Sequence, residues 1–480
     1  MASGSLFAAP KLGVGMIYST ALQPFLERRP DALDALEIEP QTLWLADDPF
    51  TGPFHEFTPG IEAFASLPGR KLVHSVGVPL GGERPPSPGQ LDLLRRTAAR
   101  LDSPWVSEHL SVAGTPHRAA GFLLPPLQTE EGVAVAVRNV RAFAEAIGRP
   151  IAIETGVAYL RRKPFEMHDG DFVRRIAEEA DCGILLDLHN LYCNERNGRI
   201  RIDDFLARIP LERVWEVHLA GGAEADGFWL DSHSGAMPGD LARKSEQIIR
   251  YLPNLGALNF EIYDTFLERL EPGVLDDIVD QLRTLWSQNG VDAGSARVAP
   301  NPPALVAPPV GPQQWETGLT EAVWKGEPSR HAFGEDDAPV RLYAKLARSF
   351  RGSMLTRALA RTIRYLLVRD REAVESRLAR YYADEDPKLY TPLEAESFRR
   401  WLLADGESDP LALALLDYDL AFLRIVREGR PQTVAFPGNP APIFEALAAA
   451  ELPPPSEGPP WELEILPDSF SLEDFTTNAL

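Results

Sequence analysis

The sequence predicts a (β/α)8 TIM barrel followed by a mainly α-helical second domain. Eight short apolar segments occur before residue 265, and helix-like stretches separate most of them. A proline-rich stretch then interrupts the pattern, and the residues beyond it repeat at helical spacing. Eight strands alternating with helices over roughly 250 residues is the arithmetic of a barrel. The alternative, a doubly wound open sheet, lacks its Gly-x-Gly-x-x-Gly turn here.

The predicted strands are Leu12–Ile17, Leu36–Ile38, Leu72–Val76, Trp105–Ser107, Ile151–Glu154, Gly183–Asp187, Val214–His218 and Ala257–Ile262. Each is a short apolar run of the kind buried on both faces in parallel sheets. Helices are expected over Gly89–Leu101, Glu130–Ile147, Asp171–Glu179 and Leu241–Leu252; in the second, Val133, Val137, Val140, Phe143 and Ala144 keep helical spacing. We place the barrel domain at 1–288 and an extended, semi-rigid linker at 289–314, where prolines cluster. Residues 315–480 form the helical domain. Leu342, Leu346 and Phe350 repeat every fourth residue, as do Leu355, Leu359 and Ile363, and Gly352-Ser353 is expected to separate two helices. Further helices are expected over Asp370–Tyr382, Leu393–Leu403, Pro410–Arg424 and Ile443–Ala450, with a short strand at Trp461–Ile465 and a patternless tail, Ser469–Leu480.

Composition narrows the class. The 480 residues are 44% hydrophobic and 25% charged, an ordinary globular mixture. A net charge of −22 argues against nucleic acid as a partner, which calls for a basic face. No run of about 18 apolar residues suggests a membrane span, and the first residues do not read as a signal peptide. Two cysteines, Cys182 and Cys193, give no disulfide framework, so a cytoplasmic location is the default.

The chemistry lies at the strand ends. Of nine histidines, His74, His109, His218 and His233 fall at or just beyond predicted strand ends. Glu154, Asp187 and Glu261 terminate strands, and Asp231 precedes His233 by two residues. Barrel strands deliver these ends to one face. Imidazoles mixed with carboxylates suit iron, manganese or zinc, and so many donors suggest two or even three ions. A single strand-end histidine is ordinarily a hydrogen-bonded structural residue; burying all eight groups without a cation would be very costly. Glu154, Asp187 and His218 are the expected catalytic centre. His189 stands between Asp187 and Asn190 as a ligand or a supporting group, while His55, His117, His168 and His331 lack this context.

Five ordered motifs then become recognisable: His74-Ser-Val-Gly-Val-Pro-Leu-Gly, Ser107-Glu-His109-Leu, Leu-Leu-Asp187-Leu-His-Asn190, Val-His218-Leu-Ala-Gly and Asp231-Ser-His233. From about Gly13 to Glu268 the chain resembles the multinuclear non-haem iron-dependent oxidative enzymes, the family that includes the methanobactin biosynthesis oxidase. The resemblance implies a barrel holding two or three irons and acting with O2 on a ribosomally made precursor peptide, commonly at cysteine. It carries the metal ligands over to His74, His109, Glu154, Asp187, Asn190, His218, Asp231, His233 and Glu261. Asn190 enters through it, three residues after the aspartate. The chain also departs from the family. Its first strand, Gly13-Val-Gly-Met-Ile-Tyr-Ser-Thr20, has no histidine after it. Glu154-Thr155 replaces Glu-Asn, Gly221-Gly222 replaces Gly-His, and Glu37 and Glu39 stand without the usual Glu-Asn-Tyr.

The second half is similar in helix spacing, and around Glu396-Ser-Phe398-Arg-Arg-Trp401-Leu, to small helical partner proteins of these oxidases, which help recruit the leader peptide. A fused partner would raise the effective concentration of peptide at the barrel. Two other functions fit the residues: a divalent-metal isomerase or hydrolase acting on a sugar or phosphate ester, and a non-catalytic peptide-binding scaffold.

Overall fold

The computed structural model describes residues 7–48, 50–290, 305–326, 337–455 and 458–467. Eight parallel strands close into a barrel: β1 Gly13–Ile17, β2 Ala35–Ile38, β3 Arg70–Ser75, β4 Val106–His109, β5 Ile151–Glu154, β6 Gly183–Asp187, β7 Val214–Ala220 and β8 Ala257–Glu261. They follow one another around the ring, and β1 pairs with both β2 and β8. Every predicted strand is present, with ends displaced by one or two residues at most. The helices of six residues or more in this half are α1 Gln23–Arg28, α2 Thr58–Ser66, α3 Pro88–Arg100, α4 Glu130–Ile147, α5 Asp169–Ala180, α6 Leu188–Arg196, α7 Gly239–Ile249 and α8 Val274–Ser287. Local chemistry sets their limits. On α4, the Thr129 side chain accepts from the backbone N of Gly132 at the start, and Gly148 takes a left-handed conformation after the end.

Residues alternate in and out along a strand, so the barrel interior is layered. At the bottom Ala35, Leu72, Trp105, Ala152, Leu185 and Ala257 pack together. Two residues further along the same strands stand Glu37, His74, Ser107, Glu154, Asp187 and Asn259, all buried. The sequence therefore turns the interior from apolar to ionisable within one strand repeat. A larger core fills the space between strands and helices, with Phe64, Leu94, Val140, Phe143, Ile176 and Ile249 inside it.

The second half contains α9 Pro312–Lys325, α10 Asp337–Ala358, α11 Ala360–Arg369, α12 Arg371–Asp384, α13 Thr391–Ala404, α14 Pro410–Glu428 and α15 Ala441–Ala448. The strands β9 Gln432–Phe436 and β10 Trp461–Ile465 pair antiparallel beside them. The expected break at Gly352-Ser353 is not there. α10 runs through both residues, and the chain turns instead at Leu359 (φ −123°, ψ 42°). A glycine inside a helix costs only about 1 kcal/mol relative to alanine. Here the buried Arg351, Met354 and Leu355 hold the helix on either side. Of the expected linker, 291–304 lies outside the described residues; 305–311 has no regular element, and a helix already begins at Pro312. The tail Ser469–Leu480 and His331 also lie outside the described residues.

The helical half sits on the face where the barrel strands end. Three hairpins rise from that face, pairing Trp44–Ala46 with Phe54–Glu56 after β2, Val112–Thr115 with Arg118–Leu124 after β4, and Ala223–Ala225 with Phe228–Leu230 after β7. α10 packs on the second of them and reaches the third, while α13 and α14 pack on the first. Tyr159 N, after β5, donates to Tyr343 Oη at 3.1 Å. Lys345 Nζ reaches Asp226 at 2.6 Å, and Arg357 reaches Asp264 at 3.5 Å. Further round, Gln90 bonds Tyr390, and Arg427 lies 3.8 Å from Asp47. One apolar cluster is common to both halves, joining Val112, Leu124 and Tyr159 to Trp315, Leu319 and Tyr343. Among the described residues no helix is long and apolar enough to cross a membrane.

Candidate metal centre

The strand register brings the expected ligands together. His109 pairs level with Glu154 across β4 and β5, and Asp187 with His218 across β6 and β7. Glu154 Oε2 lies 3.2 Å from His74 Nε2 and 3.1 Å from His109 Nε2. On the other side Glu261 lies 2.6 Å from His218 Nδ1 and 3.0 Å from His233 Nε2, with Asp231 also 3.0 Å from that nitrogen. One oxygen or nitrogen each from Glu154, Asp187 and His218 lie close enough together to bridge the two sides. Asp187 caps α6 by accepting from Asn190 N at 2.8 Å, which places Asn190 on the first turn of that helix. From there Asn190 Nδ2 donates to Glu154 Oε1 at 3.1 Å, while its Oδ1 stays unpaired. All nine expected residues thus occupy one cluster.

Several close pairs in this cluster are not hydrogen bonds. His218 Nδ1, His233 Nε2 and Glu154 Oε2 are buried and have no aligned partner despite the short separations, and Asp187 Oδ2 is buried without a partner too. Nitrogen and oxygen atoms that lie about 3 Å apart without bonding each other are free to share a third partner, and one donor atom each from Glu154, Asp187 and His218 lie within 4.8 Å of one another. That is the arrangement ligands take around a cation, and the donor set of imidazole, carboxylate and amide oxygen fits iron, manganese or zinc. The residues present therefore fit the metal ions that the resemblance implies.

Electrostatics agrees. Burial works against a charged His74, yet the neighbouring Glu154 carboxylate overrides it and lifts the imidazole to about 10. His218 and His233 are likewise driven well above the usual range, against burial, by Glu261 and by Asp231. Glu261 falls to about 2 because His218 and His233 outweigh its burial. Burial, with the Glu154 and Glu261 charges, pushes Asp187 far up. The cluster calls for positive charge, which either protons on the imidazoles or metal ions would supply.

A supporting layer surrounds it, and most of it escaped sequence reasoning. Ser107 Oγ lies 2.9 Å from His74 Nδ1, which fixes that ring and leaves Nε2 directed at Glu154. Glu37 Oε2 lies 2.9 Å from His218 Nε2, and Glu216 Oε1 lies 3.5 Å from it. Asn259 Nδ2 donates to both carboxylates, at 3.0 and 2.7 Å, and Trp105 Nε1 donates to Glu216 at 2.8 Å. Buried beside Glu216, Glu37 is raised to about 7. Gly15 makes room for this network: a Cβ there would stand 2.3 Å from Asn259 Oδ1. His189 has both nitrogens engaged, Nδ1 with Asp231 at 2.9 Å and Nε2 with Trp229 Nε1 at 3.3 Å. The Gly221-Gly222 departure has its explanation here. A Cβ on Gly222 would meet His189 Nε2 at 2.5 Å and Trp229 Nε1 at 2.6 Å, so the Trp229 indole fills the space a side chain would need. His55 and His117 lie away from the cluster, and His168 caps α5 by accepting from Gly170 N.

Comparison with known proteins identifies the barrel. Residues 13–259 match the family model of the RiPP precursor modification enzymes MbnB/TglH/ChrH, which act on ribosomally synthesised, post-translationally modified peptides. The chain belongs to this family. Relatives of the MbnB/TglH/ChrH barrel include UPF0276 proteins from Chromobacterium violaceum and Shewanella sediminis. The first is 35% identical over 178 residues, 37% of this chain and 64% of the relative. The second is 29% identical over 264 residues, 54% of this chain and 87% of the relative. A Streptomyces avermitilis UPF0276 protein is 32% identical over 220 residues, 44% of this chain and 45% of its own. The match thus spans less than two thirds of the Chromobacterium and Streptomyces proteins. Among solved structures, a D-allulose 3-epimerase from Methylomonas sp. is 15% identical, with 60% of this chain and 100% of that chain covered and a TM-score of 0.40. A xylose isomerase domain protein from Planctomyces limnophilus is 14% identical, with 58% and 97% covered and a TM-score of 0.38. The barrel topology itself is established by the closed strand pairing.

Proposed function

We propose that this protein is an O2-dependent multinuclear iron oxidase that modifies a side chain, cysteine among the candidates, of a ribosomally synthesised precursor peptide in the cytoplasm. The observation that carries this reading is the buried cluster of His74, His109, Glu154, Asp187, Asn190, His218, Asp231, His233 and Glu261. Several of its buried atoms lie close together without a hydrogen-bond partner, in a chain of the precursor-modifying family. These nine residues would hold two or three irons, with Glu154, Asp187 and His218 at the catalytic centre. When bound, iron supplies one-electron redox chemistry and the capacity to use O2.

The chain's own groups do the rest. Ser107 and Glu37 orient His74 and His218, and the Trp229–His189–Asp231 chain of hydrogen bonds holds the outer side of the cluster. The side chains of His109, Asp231 and His233 keep 16%, 22% and 14% exposure, whereas Glu154 and His218 keep 2% and none. Substrate would therefore arrive from the side of these three residues. Half-exposed Tyr263, its ring centroid 4.8 Å from that of His233, offers a surface for the entering side chain. Residues 1–288 we assign to the iron-bearing barrel and 315–480 to peptide recruitment, where the helices over the mouth also limit water.

Anaerobic purification followed by elemental analysis tests the reading. Two or three irons per chain are expected, with O2 uptake when a precursor peptide encoded beside the gene is added and a mass shift on that peptide. Zinc or manganese alone, with no O2 uptake, would favour a metal-dependent isomerase or hydrolase and overturn it. Asp187→Ala and His218→Ala are expected to lose metal; unchanged metal content would refute the ligand assignment.

A further inference from the structure

We infer that the outer face of α10 is a docking groove for an acidic segment of the peptide substrate. The inference rests on the reading above that this chain acts on a peptide, and it adds where the peptide is held and by what chemistry. α10 carries five cations, Arg341, Lys345, Arg348, Arg351 and Arg357, against one acid, Asp337, in a chain whose net charge is −22. Arg341, Lys345 and Arg348 fall at intervals of four and three residues, which puts them on one helical face. That face borders a cavity of about 520 Å³ whose wall is completed by Ser349 and Tyr382. The floor is Gly326, Ala344 and Gly352, residues small enough for a peptide backbone to approach.

Arg348 aside, the cations of α10 already have partners, Arg341 among them. Arg351 is buried on Glu394 at 2.7 Å, and Arg357 pairs with Asp264. Lys345 pairs with Asp226, but both side chains are more than half exposed, at 61% and 52%. An exposed pair of this kind contributes about 0–1 kcal/mol, so a ligand carboxylate can compete for the lysine. Exposed Arg348 has no ion pair or hydrogen bond among the described residues, and its guanidinium reaches the Gly326 turn at the end of α9. Such a guanidinium beside the groove matches a carboxylate bidentately. Glutamate and aspartate side chains of an extended peptide supply that group.

Position connects the groove to the centre. The opposite face of α10 carries Tyr343, whose Oη accepts from Tyr159 N, and Tyr159 Oη in turn accepts from Asp231 N at 3.2 Å. Lys345 holds the tip of the hairpin that runs on into Asp231 and His233. A peptide in the groove thus lies against the helix and hairpin that frame the exposed side of the cluster.

The test uses the full chain and a fluorescein-labelled oligoglutamate peptide followed by fluorescence anisotropy at low and high salt. Wild type is expected to bind at low salt and to weaken as salt rises. Arg348→Glu combined with Ser349→Glu, both at exposed positions, is expected to weaken binding by about tenfold or more, with iron content and circular dichroism unchanged. Arg348→Lys, which keeps the charge and loses the bidentate fork, is expected to bind with an affinity between those of wild type and the double variant. Equal binding by wild type and the double variant would overturn the inference, as would absence of binding to wild type. Equally tight binding of labelled oligothymidylate would make the groove a general polyanion site and overturn it too. Iron content and O2 uptake report on the barrel separately. A protein that holds iron but ignores oligoglutamate refutes the groove alone, and one that binds oligoglutamate without iron refutes the oxidase reading alone.

Discussion

Glu37 and Glu216 stand side by side in the barrel interior, held by one amide of Asn259, and both face His218. Such outer partners of a ligating imidazole fix its orientation and raise its basicity. Glu37→Gln is expected to weaken metal affinity by roughly 10- to 100-fold, measured by competition with a chelator, while circular dichroism stays unchanged. The residue pattern held part of this. Glu216 lies two positions before His218 and therefore on the same side of its strand, and Glu37 shares the inward register of its own strand. What the pattern could not give is their shared partner, because Asn259 comes from a strand 222 positions after Glu37. The role of Trp229 was equally hidden. It reaches His189 only because a two-stranded hairpin folds back over α6.

The elements themselves were legible wherever burial produced a clear period. Glu130–Ile147, Ile151–Glu154 and Gly183–Asp187 end where the sequence puts them, each bounded by a cap, a glycine or a change to polar residues. The three hairpins over the barrel mouth were not found, since all their strands but Arg118–Leu124 have three or four residues, which carry too few alternations to stand out. Gly352-Ser353 misled because local propensity is weaker than the packing of Arg351 and Leu355 on either side. α10 also offers a direct test of its attachment to the barrel. Tyr343→Phe removes the acceptor of the buried Tyr159 N–H, and an orphaned buried donor costs about 1–3 kcal/mol. A lowered melting temperature is expected in calorimetry; an unchanged one would show that this bond does not hold the helix.

For the whole molecule, the association of the two halves is expected to weaken as pH rises, through Glu316. This carboxylate lies on α9, is 3% exposed, and accepts from Glu83 N through both oxygens. Burial raises it from 4.5 to about 7, against the pull of the Glu83 N–H. A carboxyl raised on folding favours the folded state most when protonated. Its contribution is therefore fully present below pH 4.5 and is lost as pH rises through about 7. Glu316→Gln is expected to raise the melting temperature at pH 8 and to leave it unchanged at pH 4. Equal shifts at both values would remove Glu316 from the account. Removing residues 305–480 would uncover Val112, Leu124, Leu127 and Tyr159, which pack against Trp315, Leu319 and Tyr343. The isolated barrel is expected to bind a hydrophobic dye strongly and to aggregate.

That shared cluster has a consequence for how such chains change over generations. A recombination that joined the barrel of one relative to the helices of another would cut through Tyr159 and Tyr343 together, and through the Trp315 contact with Pro125 O as well. A substitution on one side of the seam alters the fitness of substitutions on the other. The seam therefore couples the two halves of this chain.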